Sequence, residues 1–599
     1  MTIKYSFRRV ARPFEPGRGA WPGTWAICAA LLTCLPSYSV RAFDDRLDSV
    51  MMQDPSLSSP VVQLVFPDRL ALLWTSALQR PDLELRRLAA DTIALANSYG
   101  MSGLDSMEDQ LVAVLQSEQQ DVTVRRAAAH ALVKLNTKRA ADLLAKQSEE
   151  ANPDIALIVE PALGRWGYEP IRTTWLARLD DPATEQIRLR LAIEGLKATR
   201  ESQALPGLLR IAGNASAISS LRLSAARAAA AIESSGLTES AEAALTHEFA
   251  LERLIGCTLL EHHSDPKAID LLKTFARDES AVVAAVALRR LLAIDPSLGY
   301  EIAAIAIVSK DVNVRTLGAR AVAARASTES LRQLSPLLCD PNPSLRRYVA
   351  QSLIAFAGDP DLREAVIDAS MQTLSGDQWR GLPESAIVLA ELEHKPAAPR
   401  MLQLLRHERP EVAVAAAWSL RRLKDASLLA SLDEFAQQLG AEIVSGQIKS
   451  NRLAVIDFQL GQIFQAFGEH HYDGAAPLLR MFIPKKMIDM DEARSASIWT
   501  LGKLYEDQAP QDLTDALLSR LSDTSVTSPE SRRVRRMSAI SVGRMKSELA
   551  VTTLYEMAEY ESGTLIAVAC NWGIEKITGK KEETPRPKKE LTDWFLAPK

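Results

Sequence analysis

KDVNVRTLGARAVAAR, residues 310–325, carries an acid at Asp311, sets branched aliphatics at Val312 and Val314, and follows Arg315 with an alanine-rich face. The phrase recurs as PDLELRRLAADTIAL from Pro81, QDVTVRRAAAHALVKL from Gln120 and PNPSLRRYVAQSLIAF from Pro341. Looser copies begin at Ile187, Leu221, Ser280, Pro410, Glu492, Arg532 and Thr564. Where the spacing is clear it is regular: Arg86 to Arg125 is 39 residues, Arg188 to Arg222 is 34, and Arg315 to Arg346 is 31. Such a period holds two helices of three to four turns with their turns. A second amphipathic pattern lies between copies, as in MEDQLVAVLQS, QALPGLLRIAG and APRMLQLLRHE. Each unit is therefore predicted to be helix, turn, helix. One such hairpin cannot bury its own apolar faces, so neighbours must stack.

An acid or amide stands four residues before the arginine in the clearest copies: Asp82/Arg86, Asp121/Arg125, Asp311/Arg315 and Asn342/Arg346. The Asp or Asn is expected to cap the second helix, where free N–H groups and the dipole favour it. The arginine, one turn inside, is expected to reach its own cap or that of the next hairpin, giving a ladder of charge-assisted hydrogen bonds.

This D-x-x-[VL]-R-x-x-A-A pattern resembles HEAT repeats, particularly the short variety of phycobilisome lyases, over roughly residues 65–579. The resemblance implies an all-α superhelix, an armadillo/HEAT-like solenoid of about 12–15 hairpins. The closing segment, ACNWGIEKITGKK with LTDWFL after it, is similar to the ends of exported bacterial HEAT-repeat proteins. A fold of this kind hosts many functions, so function has to be argued from sites.

Composition agrees with the helical reading. Of 599 residues 47% are apolar and only 6% aromatic, sustained strand alternation is missing, and no Asn-Gly or Asp-Gly hairpin turn sits between alternating runs. The formal net charge of −5 offers no global attraction for nucleic acid or an anionic membrane.

The first forty residues are a different object. Arg8, Arg9, Arg12 and Arg18 precede the apolar run WAICAALLTCL, Trp25 to Leu35, and then Val40-Arg41-Ala42. This reads as a signal peptide over residues 1–42 cut before Phe43, with an uncleaved membrane anchor as the alternative. The run is too short for a comfortable bilayer span, so no stable span is expected after signal removal. Residues 43–60 read as an extended lead-in and 61–579 as the array, with a sub-array break near 424–470 where the helical pattern lengthens. Residues 580–599 read as a charged linker with an apolar tail. Cys257, Cys339 and Cys570 lie too far apart for a disulfide framework or zinc site and read as buried thiols.

The search for chemistry returns little. Five of the eight histidines adjoin an acid, a feature shared with deoxyhypusine hydroxylase, a HEAT-type protein whose His-Glu pairs hold iron. Here His407-Glu408 falls at a turn and His247-Glu248 within a helix, so the equivalent registration is missing and no metal or other cofactor is expected. Nucleophile elbows, phosphate loops and His-Glu-x-x-His are absent from the sequence. Two places invite a partner: Arg532, Arg533, Arg535 and Arg536, which suit an acidic partner, and the tail with Trp594 and Phe595. The expected function is a non-catalytic scaffold binding a protein partner outside the cytoplasm, periplasmic or in the cell envelope. The alternatives are a chromophore lyase, a metal-dependent hydroxylase or, on weaker grounds, a nucleic-acid-binding HEAT protein.

Overall fold

A computed structural model describes residues 46–67, 69–149, 153–485, 490–583 and 585–590. Contacts divide the chain into one compact unit from Ser49 to Lys599 and a separate unit ending at Asp48. Signal, h-region and cleavage site, and Trp594 and Phe595, lie outside the described residues.

From Leu70 to Thr578 the described chain forms fifteen successive helical hairpins, from Leu70–Leu78 with Leu83–Ser98 to Val551–Tyr560 with Leu565–Thr578. The caps fall where the repeat phrase puts them. Asp82 accepts from the Leu85 N–H, Asp121 from Thr123, Asp311 from Asn313 and Val314, and Asn342 from Leu345. At the other end, many second helices stop at a residue in the left-handed region, among them Asn136, Arg200, Glu393, Lys424, His471 and Lys546. A single 3-10 turn follows each of these and starts the next hairpin, as at Lys138–Ala140, Lys395–Ala397 and Glu548–Ala550.

No single centre organises the core. One apolar cluster runs from Leu70 to Leu259, a second from Ala241 to Leu317, and a third from Ala303 to Ile574, overlapping along the chain. Each hairpin thus buries its faces against its neighbours. The stretch 424–470 holds two long helices, Leu429–Val444 and Ser450–Glu469, and the third cluster continues through both. Trp166 bonds back to Asn136 at the end of the preceding hairpin, and Tyr168 to Asp142 in the first helix of its own.

Towards the C-terminus the second helices approach closely at glycines. A Cβ on Gly502 would lie 2.5 Å from Ser541 Oγ, and one on Gly543 would lie 2.5 Å from the Gly573 Cα. Backbone can yield only by moving a helix, so Gly543→Ala is expected to cost about 1–3 kcal/mol. Urea unfolding checks this; an unchanged midpoint would show that the two helices separate freely.

The residues before the array are a short 3-10 turn, Val50–Met52, and strand β1, Gln63–Val65. Strand β1 pairs in parallel with β2, Lys588–Glu590, with Gln63 opposite Lys588. The linker after the last hairpin and the lead-in before the first are thereby joined.

Candidate binding surface

The ladder runs through the array in one register. Arg86, Arg125, Arg222, Arg253, Arg315, Arg346, Arg494 and Arg535 are each the fourth residue of a second helix. Arg315 shows the full pattern. Its Nη1 donates to the carbonyls of Ser309 and Lys310 in its own turn, while Nε and Nη2 grip Asp340 of the next hairpin at 2.8 and 3.0 Å. Arg253 does the same with His247 O, Glu248 O and Asp278. Arg222 reaches Glu252, Arg494 reaches Glu530 and Arg535 reaches Glu561. Arg125 reaches Gln147, and Arg86 donates to Pro81 O of its own turn. The partner differs from the expected one: the arginine takes turn carbonyls and an acid of the next hairpin, and the capping side chain stays with its own N–H groups. The cap oxygen already accepts from the helix, which leaves the guanidinium to seek other acceptors.

The cluster at 532–536 is consequently not one open patch. Arg535 is buried in ladder register, donating to Leu521 O at 2.8 Å as well as to Glu561. Arg533 pairs with Glu492 of the preceding second helix. Arg536 is buried and donates to the carbonyl of Met52, in the lead-in. Only Arg532 is exposed.

That last contact belongs to a larger surface. The lead-in lies along three successive second helices, Ser450–Glu469, Asp491–Leu504 and Arg532–Arg544. The Met51 N–H donates to Gln465 Oε1 at 3.1 Å, and Met51 itself is fully buried. Trp499 Nε1 donates to the carbonyl of Asp54 at 3.0 Å, and Arg544 Nη2 to its carboxylate at 3.0 Å. Ser49 donates to Gln465 and Glu492. Three of these contacts read main-chain atoms, which holds the segment largely independently of its side chains. An extended lead-in was expected; residues 50–52 instead form a 3-10 turn, and the lead-in's seat on the helices was not foreseen. The signal was DFQLGQIFQAF, residues 457–467, whose Gln459, Gln462 and Gln465 recur every third residue in an apolar helix. Buried amides must bond: Gln459 donates to Leu405 O, Gln462 accepts from Arg421, and Gln465 takes the lead-in.

Two acids underlie the surface. Asp457, almost fully buried, accepts from the N–H groups of Ala493 and Glu492 at 2.7 and 3.2 Å, capping the helix that Met490 leaves uncapped. Burial raises its carboxyl from 3.8 to about 7, with Glu492 and Asp491 adding repulsion against those hydrogen bonds. Burial likewise pushes Glu492 up, opposed by Arg533 and Ser49. The folded chain thus keeps a proton on Asp457 that the unfolded chain has lost, so stability falls as pH rises from 3.8 to about 7 and is flat beyond. Asp457→Asn is expected to remove that loss, on the order of a few kcal/mol since each tenfold change in proton affinity is worth about 1.4 kcal/mol. Urea midpoints at pH 5 and 8 test it; an identical drop in variant and wild type would contradict the assignment.

His247 and His407 both sit in the turn before a second helix, a correction to the expected helical place of His247 and to the missing registration. Each spends Nδ1 on a backbone N–H, of Phe249 and Arg409 respectively. Among the described residues no group of three His, Cys, Asp or Glu could hold a metal ion. Cys257 and Cys570 are buried, and burial pushes their thiols up, that of Cys570 to about 12; Cys339 is half-buried. A cavity of about 880 Å³ opens beside Cys339 between helices Thr328–Leu334 and Pro360–Ser375, with Arg332 at its rim engaged by Glu329. Among the described residues no helix is long and apolar enough to cross a membrane.

The family model of HEAT repeats matches residues 71–164. No curated protein matches the chain in sequence. Among solved structures, one of Kap95p binding RanGDP is similar over 85% of this chain and 72% of its own, at 13% identity and a TM-score of 0.52. Yeast importin-β, Kap95p alone, covers the same shares at 13% identity and a TM-score of 0.47. The hairpin unit, the ladder register and the likeness to the Kap95p–RanGDP structure agree: residues 71–164 carry HEAT repeats, and the chain folds as an all-α solenoid of HEAT type.

Proposed function

We propose that the protein is a non-catalytic scaffold that binds a protein partner along the concave face lined by its second helices, outside the cytoplasm. One observation carries the reading. Gln465, Trp499, Arg536 and Arg544, on three consecutive second helices, hold residues 49–54 of the chain largely through main-chain groups. A surface that seats one short segment by its main-chain groups suits another of the same form. Kap95p, of like fold, is described with RanGDP, a protein partner. Location outside the cytoplasm rests on the charged and apolar leader, residues 1–42.

Capture from cell-envelope extracts with the purified chain tests the proposal. A protein retained by wild type, lost with Trp499→Ala/Arg544→Ala and kept by Arg332→Ala on a first helix supports it. Equal retention by all three refutes it. A secreted chain beginning at Phe43 supports export; an intact Met1 in the cytoplasm refutes it.

A further inference from the structure

Between the lead-in and the last two hairpins lies a cavity of about 410 Å³, lined among others by Ser59, Arg532, Arg533, Arg536, Thr564 and Ile566. Two helices of thirteen and fourteen residues, Arg532–Arg544 and Leu565–Thr578, turn their N-termini towards it. Helix N-termini favour anions, but they do so everywhere, and Thr564 already caps the second of these by accepting from Ile566 and Ala567. The guanidinium of Arg536 is what distinguishes the place. Arg536 is 5% exposed, yet its Nε has no hydrogen-bond partner and its Nη2 has only the carbonyl of Met52 at 3.2 Å. A buried cation ordinarily takes a carboxylate, since desolvation costs several kcal/mol that a neutral carbonyl offsets poorly. Elsewhere in the array the buried ladder arginines have theirs: Arg253 has Asp278, Arg494 has Glu530, Arg535 has Glu561. Around this cavity Arg533 is neutralised by Glu492. Arg532, exposed on the rim, pairs with no carboxylate among the described residues, and neither does Arg536. Burial, with repulsion from Arg533, also weakens the hold of Arg536 on its proton.

We infer that this cavity is a binding site for a small phosphate-bearing anion, a phosphate monoester dianion whose two charges meet Arg536 at the base and Arg532 at the rim. The count of uncompensated guanidiniums favours a dianion over a carboxylate. The volume leaves room for an organic group beside the phosphate. The site does not depend on the scaffold reading, because no protein partner enters it.

Inorganic phosphate is the probe, titrated calorimetrically into the full chain at pH 7.5 against chloride of matched ionic strength. Saturable binding of one phosphate is expected. Arg532→Ala should weaken it about tenfold, the loss of one charge-assisted contact. Arg536→Met should abolish it, and Arg332→Ala should change nothing. Because Arg536→Met could unfold the last hairpins, Arg532→Ala, an exposed position, carries the test alone if that variant melts early. Glycerol phosphate binding at least as well as phosphate, with acetate at least tenfold weaker, supports the monoester assignment. No saturation up to about 20 mM phosphate, which is weaker than about 2.3 kcal/mol of binding, overturns the site. So does phosphate affinity unaltered in Arg532→Ala, or acetate matching phosphate.

Discussion

Arg494→Ala is expected to destabilise the hairpins around it by about 3–5 kcal/mol, the range for breaking a buried ion pair by removing one partner. Arg494 and Glu530 are 1% and 2% exposed at their side chains and meet through two bonds, of 2.8 and 2.7 Å. Arg494 also donates to Ile483 O, and Glu530 accepts from Arg520 and the Ser531 N–H. Burial alone would push the Glu530 carboxyl up; the hydrogen bonds from Arg494 and Ser531, with the Arg494 charge, hold it below its usual value. Its folded value is therefore depressed, and the pair contributes fully above the ordinary 4.5 and is lost as pH falls through the folded value. Without Arg494 that acid-side loss should shrink. Native-state hydrogen exchange in helices 491–504 and 532–544 measures the cost locally, which suits an array that need not unfold in one step. A change below about 1 kcal/mol would contradict the assignment of the pair as a buried clamp. Arg494→Met/Glu530→Leu should recover much of the loss, because the charges leave together.

Met51→Asp is the second large effect. Met51 is fully exposed to the third apolar cluster and not at all to solvent, so the variant buries a carboxylate among apolar groups or releases the lead-in. Release is expected. Loss of the methionine alone corresponds to about 2–5 kcal/mol. Proteolysis tracks the opened population, so cleavage within residues 46–62 should be at least about thirtyfold faster. Cleavage at the wild-type rate would show that the segment is held by its polar contacts alone.

The hairpins were legible because their signals are local: a cap four residues before an arginine, and an apolar face recurring every turn. The ladder register was legible too, but its partners were not. Asp340 and Asp278 lie about 25 residues beyond their arginines, and only the stacking of hairpins brings them near. The same reason hid the role of Arg535, which looked like one of four clustered charges until its place as fourth helical residue sorted it into the ladder. The lead-in was the hardest. Met51 and Gln465 are 414 residues apart, and a polar, serine-rich stretch carries no periodicity to announce a seat. Three glutamines in one apolar helix were the available hint, since each amide needs a partner.

The strand pair between β1 and β2 bears on how the array opens. Val65 and Leu70 are five residues apart, so the first helix begins within about 23 Å of the strand that trails the last hairpin. A stack of repeats ordinarily frays from its terminal units, which have a neighbour on one side only. Here each terminus is fastened to the other, and fraying has no free edge at which to begin. Opening is then left to interior seams, such as the junction between the first two apolar clusters near residues 238–260. The helix Thr238–Leu245 at that junction buries one residue, Ala241. Breathing of the molecule should start there, in its middle, with both ends still shut.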